Sequence, residues 1–575
     1  MKKPHRASTS GFSPDLRERV RIFAEQWTRS LQIEGDLIPS IAFSRAKTRI
    51  YSGFLTRFWQ NRGMTGEVIP LQNEITPTAL ESDLSSTAEL REWGEAFPDL
   101  DAVETLGYLF EFLRGLVVVE CGGGEIELKQ KFEETTRAET GFVFTPYEIC
   151  KRMVENILGY FEEGFKRSRS IPIVLDPACG GGAFLISIAI SLAARFPDTP
   201  IEEIINQCIF GVDIDPEAAL VTRWSLWCLA GNPELGPETF ANNVAVGNAI
   251  LPPGAPSNLN PIAWNSQFPF AMQAGGFDIV IGNPPYVRQE KIRQFKPYLQ
   301  KYQSYSATAD LYIYFYELGV NLLKDGGILS LITSNSFLRT RSARPLRGFL
   351  SVNTRILDFF DTFPEPVFEA SVTPCILTVQ KAAPGGNVRV NEQLSTPQMC
   401  LSDGPWSFLP ADYFALLAKL QESGIPLGDL CDVYFCIKPG RVSDLVLSPD
   451  RIVQLDLEGD LFQPVLRGTD IKQYAYPVPS MQIFFPYVEG TFERIEFPAI
   501  KAQYPRLAAY LCERRAALEA RDDYRRNQER MAWYELRPCN YYAAFREPKV
   551  VTPDICSHNS LLWKMRRPWR VGPRC

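Results

Sequence analysis

The sequence predicts an α/β protein built on a doubly wound, largely parallel sheet. Three apolar runs, at residues 171–175, 209–212 and 277–282, each have the composition of a short strand buried on both faces. The first two are followed by helix-forming sequence, an alternation typical of this fold class. Ligands bind such sheets at the carboxyl ends of the strands, so the residues that follow each run are the candidate site.

The composition is that of a globular protein with room for several domains. The chain has 575 residues, of which 45% are hydrophobic and 22% charged. Its net charge of −7 does not favour nucleic-acid binding, although binding requires only a local basic face. The 13 cysteines include no CxxC pair and only two histidines occur, so we expect no metal site and no histidine-based catalysis. Without a signal peptide or a bilayer-length apolar run, the sequence predicts a cytoplasmic protein with no membrane contact.

The chain divides into three predicted regions. Residues 1–140 are predicted to be a helical support region, because apolar side chains recur at helical spacing through residues 14–120. Residues 141–385 carry the strand–loop–helix pattern, and a linker is predicted at 382–386. Residues 386–575 mix short strands, turns and charge-rich helical tracts.

A helix is predicted to start at Thr145 and Pro146. The four residues 145–148 form a capping box with proline at the first helical position, followed by apolar residues every fourth position.

The strongest binding pattern follows the first buried strand. Residues 176–184 read Asp-Pro-Ala-Cys-Gly-Gly-Gly-Ala-Phe and lead into a helix, an arrangement that suits a nucleotide-like ligand. The dinucleotide fingerprint is absent because residue 185 is leucine, so NAD is the weaker choice, and no Lys-Ser/Thr pair indicates a P-loop. The second strand ends at Asp213, where doubly wound folds place the acid that binds ribose hydroxyls.

The third buried strand ends at Asn283-Pro284-Pro285-Tyr286. Two prolines fix the backbone at the strand's carboxyl end. This stiff loop offers an amide, the free carbonyl of Pro284 and the ring of Tyr286, which together suit a planar substrate bearing an amine.

Four stretches resemble motifs of one enzyme family. Residues 283–286 resemble the NPPY motif of amino-methylating, S-adenosylmethionine-dependent methyltransferases, chiefly DNA adenine-N6 enzymes. Residues 176–184 closely resemble the cofactor motif of these enzymes, and residues 141–146 resemble the segment before their catalytic domain. Residues 465–474 resemble a target-recognition segment of the TaqI-like and type IIG (Eco57I-like) restriction-modification methyltransferases. This order of motifs is that of the gamma class.

The resemblance implies a fold, a cofactor and a set of site residues. The fold is the Rossmann-like class I methyltransferase domain, with a mixed α+β target-recognition domain after residue 385, and the cofactor is S-adenosyl-L-methionine. The implied cofactor contacts are Thr145, Pro146, Asp176, Pro177, Ala178, Gly180, Gly182, Asp213, Ile214, Asn248 and Asn283. The implied catalytic residues are Asn283, Pro284, Pro285 and Tyr286, with Tyr286 and Phe368 stacking on the substrate base. Cys179 is expected to serve packing.

The expected activity is methyl transfer to adenine N6 in double-stranded DNA, with the base flipped out of the duplex. The expected setting is a bacterial or archaeal restriction-modification or phage-defence system, with a monomer acting on DNA and a separately encoded restriction endonuclease as a partner. Cytosine-N4, RNA and protein-glutamine methyltransferases remain alternatives, as does a catalytically silent specificity subunit.

Two expectations concern the basic residues and the end of the chain. Two groups of arginines are candidates for contacts to phosphates: Arg339, Arg341, Arg344, Arg347, Arg514, Arg515, Arg521, Arg525, Arg526 and Arg530. From Leu561 onward the sequence departs from the family pattern, which suggests a truncated or frameshifted end.

Overall fold

A computed structural model describes most of the chain. The described residues are 14–35, 42–43, 46–47, 50–51, 54–55, 103–114, 116–121, 125–130, 145–164, 170–232, 234–361, 373–472, 477–547, 549–553 and 562–565. Phe368 and residues 141–144 lie outside them. The chain forms two compact units, Met1–Lys419 and Leu420–Cys575.

The first unit is built around a nine-stranded sheet flanked by helices. Ahead of this sheet, β1 (Leu116–Cys121) and β2 (Glu125–Gln130) pair with each other. The nine strands of the sheet are β3 (Val174–Asp176), β4 (Ile209–Asp213), β5 (Val244–Val246), β6 (Phe277–Gly282), β7 (Leu323–Ser334), β8 (Arg355–Asp361), β9 (Pro374–Gln380), β10 (Asn387–Val390) and β11 (Leu394–Pro397). The longer helices are α1 (Pro14–Gly35), α2 (Val103–Arg114), α3 (Tyr147–Gly164), α4 (Ala183–Arg195), α5 (Ile201–Cys208), α6 (Pro216–Ala230), α7 (Tyr312–Leu322), α8 (Arg344–Asn353) and α9 (Ala411–Ser423).

The strand order confirms the doubly wound prediction. The order is β11-β10-β8-β9-β7-β6-β3-β4-β5, and β3 pairs in parallel with both β4 and β6. Side chains alternate between two cores: Ile279 and Ile281 pack on one face, and Val280 packs on the other. Strand β9 is antiparallel to both of its neighbours. Strands β3, β4 and β6 therefore end side by side, and this edge carries the predicted site.

One irregularity and one corrected prediction concern the elements around this sheet. Gly326 and Gly327 follow α7 where glycines often cap a helix, but α7 ends at Leu322 and β7 begins at Leu323. The register of β6 against β7 shifts at this point and Gly326 has a φ of 84°, so the glycines accommodate an irregularity within the strand. The predicted helical spacing through residue 120 is wrong at its end, because Leu116–Cys121 pairs antiparallel with Glu125–Gln130 as strands β1 and β2.

The sheet extends beyond the predicted domain boundary at residues 385 and 386. Strand β10 pairs in parallel with β8, and β11 pairs with β10. The ring of Phe408 stacks on Phe359 of β8 with centroids 4.0 Å apart, so the chain belongs to the first unit well past residue 386. The roles assigned to the three regions stay predictions.

The second unit has its own core. Its main sheet has the order β12 (Val446–Leu447), β14 (Met481–Phe484), β13 (Phe462–Val465), and β15 (Lys549–Val551) pairs with β16 (Leu562–Met565). Two helices, α10 (Phe497–Gln503) and α11 (Pro505–Glu513), pack on an aromatic-rich cluster. Within the described residues, no helix is both long and apolar enough to cross a bilayer.

Two of the arginines expected at phosphates are buried instead. Arg347 is 2% exposed, and its guanidinium donates to the carbonyl oxygens of four residues: Phe337, Thr340, Asp403 and Gly404. Arg521 is 7% exposed and donates to three carbonyl oxygens of the second unit. The phosphate prediction is therefore wrong for these two side chains, which hold backbone segments together.

Candidate active site

A cavity of about 340 Å³ opens at the carboxyl ends of β3, β4 and β6. This volume lies within the range of about 300–1,000 Å³ that is typical of small-molecule sites. The predicted residues that line it are Thr145, Asp176, Pro177, Ala178, Gly180, Asp213, Ile214, Asn248, Asn283 and Pro285. Five separate stretches of sequence thus meet around one cavity.

The glycine loop after β3 is fixed by contacts from neighbouring elements. Gly180 and Gly182 have φ values of 52° and 87°, a conformation that favours glycine. The Gly180 N–H donates to Oδ2 of Asp213 at 2.9 Å, and its carbonyl accepts from the Thr222 hydroxyl of α6 at 2.7 Å. The loop therefore presents its backbone to the cavity in one defined arrangement.

Two buried carboxyl groups face this cavity. Burial raises the pKa of Asp176 to about 8, opposed by a hydrogen bond from the Ala178 N–H and reinforced by the nearby charge of Asp213. Burial also raises the pKa of Asp213, although its oxygens accept the N–H groups of Gly180 and Asp215. A cationic ligand would stabilise both groups in their charged form.

The amide of Asn283 connects the Asn-Pro-Pro-Tyr loop to the start of α3. Its Nδ2 donates to Oγ1 of Thr145 at 2.9 Å, and Thr145 is buried. Helix α3 is held to the sheet by Asn156, which bonds Asp358 of β8 at 3.2 Å, while Arg389 of β10 bonds the same carboxylate at 2.7 Å. The Thr-Pro helix start and the Asn-Pro-Pro-Tyr loop, predicted separately from the sequence, form one structural unit.

The Tyr286 ring is held at the junction of the two cores. Its hydroxyl donates to the Ile332 carbonyl at 3.1 Å, and its ring meets that of Tyr312 nearly edge-on, with centroids 6.1 Å apart. Burial raises the pKa of Tyr286, so the phenol stays neutral. Four predicted site residues are next to lining residues in the sequence but do not themselves line the cavity: Pro146, Gly182, Pro284 and Tyr286.

Other cavity residues were not predicted from the sequence. Gly107 and Arg114 of α2 form part of the wall, together with apolar side chains such as Ile250 and Phe295. A glycine inside a helical pattern was the available signal for Gly107, since such a residue often marks a close packing contact. Cys179 is buried and its pKa is raised by burial, which agrees with a packing role.

The lining is compatible with S-adenosyl-L-methionine. The Asp213 carboxylate can accept ribose hydroxyls, and Ile214, Ala249 and Ile250 give the apolar surface that an adenine ring requires. The loop at residues 180–182 has no side chains that would fill the space beside it, and Asp176 supplies negative charge for a cationic group.

Comparison with protein families shows what this part of the chain is similar to. The Eco57I restriction-modification methylase family matches residues 207–368. This match includes the Asp213 turn and the Asn-Pro-Pro-Tyr loop. The predicted resemblance to Eco57I-like restriction-modification methylases is thereby confirmed.

Individual relatives agree with this class. The chain is 26% identical over 463 residues to the type II methyltransferase M.PaeR7I of Pseudomonas aeruginosa, covering 74% of this chain and 75% of that protein. It is 27% identical over 456 residues to M.XhoI of Xanthomonas vasicola, covering 72% and 78%. It is also 26% identical over 485 residues to the combined restriction enzyme and methyltransferase RM.Eco57I of Escherichia coli, covering 71% of this chain and 48% of that one.

A solved structure shares the fold. The type IIL restriction-modification enzyme MmeI, solved in complex with DNA, superposes with a TM-score of 0.56 over 90% of this chain and 77% of its own, at 14% identity. The predicted Rossmann-like class I methyltransferase fold is confirmed. The prediction of S-adenosyl-L-methionine as the cofactor agrees with this fold and with the methyltransferase relatives.

Proposed function

We propose that this chain is a site-specific DNA methyltransferase that moves a methyl group from S-adenosyl-L-methionine to adenine N6. The observation that carries the proposal is the position of Asn283-Pro284-Pro285-Tyr286 at the end of β6, beside the cavity formed by the glycine loop and Asp213. An amide and a backbone carbonyl beside a cofactor cavity suit an exocyclic amine as the substrate.

The chain's own residues account for binding and orientation. Asp213 accepts the ribose hydroxyls, Asp176 faces a cationic group, and Thr145 closes the methionine end. When bound, the cofactor supplies an electrophilic methyl group on a positively charged sulfur. The chain's task is to hold an amine nitrogen in line with that methyl group, which removes much of the entropic part of the barrier.

The catalytic loop acts on the amine. Adenine N6 is a weak nucleophile because its lone pair is delocalised into the ring. The Asn283 side-chain oxygen and the Pro284 carbonyl accept hydrogen bonds from its two N–H groups and favour a more tetrahedral nitrogen. The lone pair of that nitrogen would form the new N–C bond as the methyl–sulfur bond breaks, with its electron pair staying on sulfur and S-adenosylhomocysteine as the leaving group. The methylated nitrogen would then lose one proton to solvent water.

The base reaches the site by leaving the duplex. Flipping costs a few kcal/mol, and stacking on an aromatic ring returns about 1–3 kcal/mol per base. Tyr286 is the ring that this chain provides at the loop, and Phe368 is the second ring proposed for the opposite face. Double-stranded DNA is the proposed substrate, in keeping with the restriction-modification relatives.

Analysis of the methylated product tests this proposal. The purified chain is incubated with tritiated cofactor in three separate reactions that contain duplex DNA, RNA or protein. The products of each reaction are digested and identified by mass spectrometry. We expect N6-methyldeoxyadenosine from DNA alone. N4-methyldeoxycytidine would favour the cytosine alternative, and label in RNA or glutamine would favour the others. Cofactor binding without transfer to any substrate would identify a silent specificity subunit.

A further inference from the structure

We propose that helix α2, from the region before the catalytic domain, is a wall of the cofactor site and that Arg114 is a positioning residue for its ribose-binding turn. This inference rests on the proposed use of S-adenosyl-L-methionine. It assigns a binding role to a helix that the sequence had placed in a support region.

The first observation is the close approach of α2 to the glycine loop. Gly107 lies in the interior of α2, and a Cβ atom built there would lie 3.2 Å from the Gly181 carbonyl oxygen. A Cβ built at Gly181 would lie 3.0 Å from the Cα of Gly107. The two backbones therefore touch, and a methyl group at position 107 would have to push the helix or the loop aside by a few tenths of an ångström.

The second observation is an ion pair at the other end of the helix. Arg114 is the last residue of α2, and its Nη1 lies 2.8 Å from Oδ2 of Asp215. Asp215 also caps α6 by accepting the Glu217 N–H at 2.9 Å, and its own N–H donates to Asp213. Arg114 thus acts on the Asp213 carboxylate through the turn between β4 and α6.

The third observation is that this packing continues around α6. The Lys47 ammonium pairs with the Glu217 carboxylate at 2.7 Å, and the Tyr51 hydroxyl donates to the same group at 3.1 Å. The Tyr51 ring packs against Trp224 in the core that also contains α2 and α4. Three polar side chains from earlier in the chain therefore hold the turn proposed to bind the ribose and the first turn of α6: Arg114 bonds Asp215, and Lys47 and Tyr51 bond Glu217.

A geometric consequence distinguishes this role from simple support. Gly107 contacts the glycine loop, which the Gly180 N–H joins to the Asp213 carboxylate, and Arg114 bonds the turn that carries Asp213. We therefore expect both residues to act on the ribose-binding end of the site. Changes at either residue should weaken binding of 5′-methylthioadenosine as much as binding of the complete cofactor. A residue that contacts the methionine half would affect only ligands carrying that half.

The test uses two alanine substitutions at helix glycines in the full chain. Gly107→Ala adds a methyl group at the contact with Gly181, whereas Gly159→Ala adds one in the interior of α3, where no atom lies within 4 Å. The helix propensity gained by replacing glycine with alanine is the same in both cases. Calorimetry then measures the Kd of S-adenosyl-L-methionine, S-adenosylhomocysteine and 5′-methylthioadenosine, and thermal unfolding without ligand is recorded for each variant.

We expect Gly107→Ala to bind all three ligands roughly tenfold more weakly, equivalent to about 1.4 kcal/mol, and Gly159→Ala to bind as the wild type does. Arg114→Gln should weaken the three ligands by a common factor, and Arg114→Lys should restore part of the loss. Wild-type affinity in both Gly107→Ala and Arg114→Gln would overturn the inference, as would a loss confined to the two ligands with a methionine half. If Gly107→Ala does not fold, the affinities of the two variants Arg114→Gln and Arg114→Lys decide whether the inference stands. A wild-type chain that binds none of the ligands would instead overturn the proposed function.

Discussion

At the scale of single residues, the Asn283 side chain lies where the proposed cofactor cavity meets the proposed substrate side. It lines the cavity and bonds Thr145 of the opposite wall. Fixing the amide from this side leaves the loop's acceptors in a set position before substrate arrives. Acceptors that are already in position need not reorient as charge develops in the transition state, so that free-energy cost is absent from the barrier.

Substitution of Asn283 should separate chemistry from binding. Asn283→Ala is expected to lower methyl transfer by about 10²-fold or more, because one acceptor for the amine is lost, while cofactor affinity changes only a few-fold. Thr145→Val removes the hydroxyl that bonds the amide and should give a smaller loss. Tritium transfer and calorimetry measure the two effects, and near wild-type turnover of Asn283→Ala would contradict the acceptor role.

The buried carboxyl of Asp176 predicts a pH dependence of stability. Its pKa is about 8 in the folded chain against an ordinary value of 3.8. The folded chain therefore binds more protons than the unfolded chain between about pH 4 and pH 8, so the free energy of unfolding falls as pH rises through this window. Asp176→Asn should flatten that slope without abolishing it, because Asp213 also has a raised pKa.

Chemical denaturation without ligand at pH 5 and pH 8 measures this slope. The wild type should lose more stability between the two values than Asp176→Asn does. Equal slopes for the two proteins would show that the carboxyl does not titrate in this window.

At the scale of elements, the buried Arg347 joins α8 to the segment after β11. Its guanidinium bonds the carbonyls of Asp403 and Gly404 as well as two carbonyls before α8. Arg344, one turn earlier, is 65% exposed at its side chain and pairs with Asp403 at 2.7 Å. The two arginines share a helix and differ in burial, so they form a matched pair.

Arg347→Leu should destabilise the first unit by about 3 kcal/mol or more, because it leaves buried carbonyls without a donor. Arg344→Leu should cost less than about 1 kcal/mol, as exposed ion pairs usually do. Urea unfolding midpoints compare the two variants. A cost for Arg347→Leu as small as that for Arg344→Leu would contradict the structural role assigned to Arg347.

The central strands could be predicted from sequence because each is buried on both faces and ends at polar or proline residues. Strands β3, β4 and β6 are of this kind. Asp176, Asp213 and Asn283 could be predicted as site residues because they stand at or directly after the carboxyl ends of these strands. Strands β10 and β11 lie at the sheet edge with alternating or exposed side chains, so they resemble the short strands of a second domain. The wall formed by α2 could not be predicted either, because it depends on a contact between residues 107 and 181 that are distant in sequence.

At the scale of the whole molecule, the chain has two units with separate cores. We propose that the second unit selects the DNA sequence, since the catalytic cavity would receive only the flipped base. The fold suggests a junction shortly before this unit, which begins at Leu420. The Thr396 hydroxyl donates to the Leu409 carbonyl at 2.9 Å, and Trp406 is buried in the core of the first unit. A junction after Pro410 therefore exchanges α9 together with the second unit and leaves the large sheet complete.

A chimera joined after Pro410 to the corresponding region of M.PaeR7I should fold and methylate the site of the donor. A chimera joined at residues 385 and 386 replaces β10 and β11 and should be less stable, because their pairing with β8 is lost. Thermal unfolding and sequencing of the methylated positions compare the two. An unchanged methylation site in a folded first chimera would contradict the recognition role.

A methylome comparison in cells that lack adenine methylation tests most directly whether this chain methylates adenine N6 through Asn283. Single-molecule sequencing is applied to genomic DNA from cells expressing the wild-type chain and from cells expressing Asn283→Ala at equal protein level. We predict N6-methyladenine at one recurring sequence motif with the wild type and its loss with the variant. Methylcytosine at the motif, or adenine methylation that persists in Asn283→Ala, would contradict it.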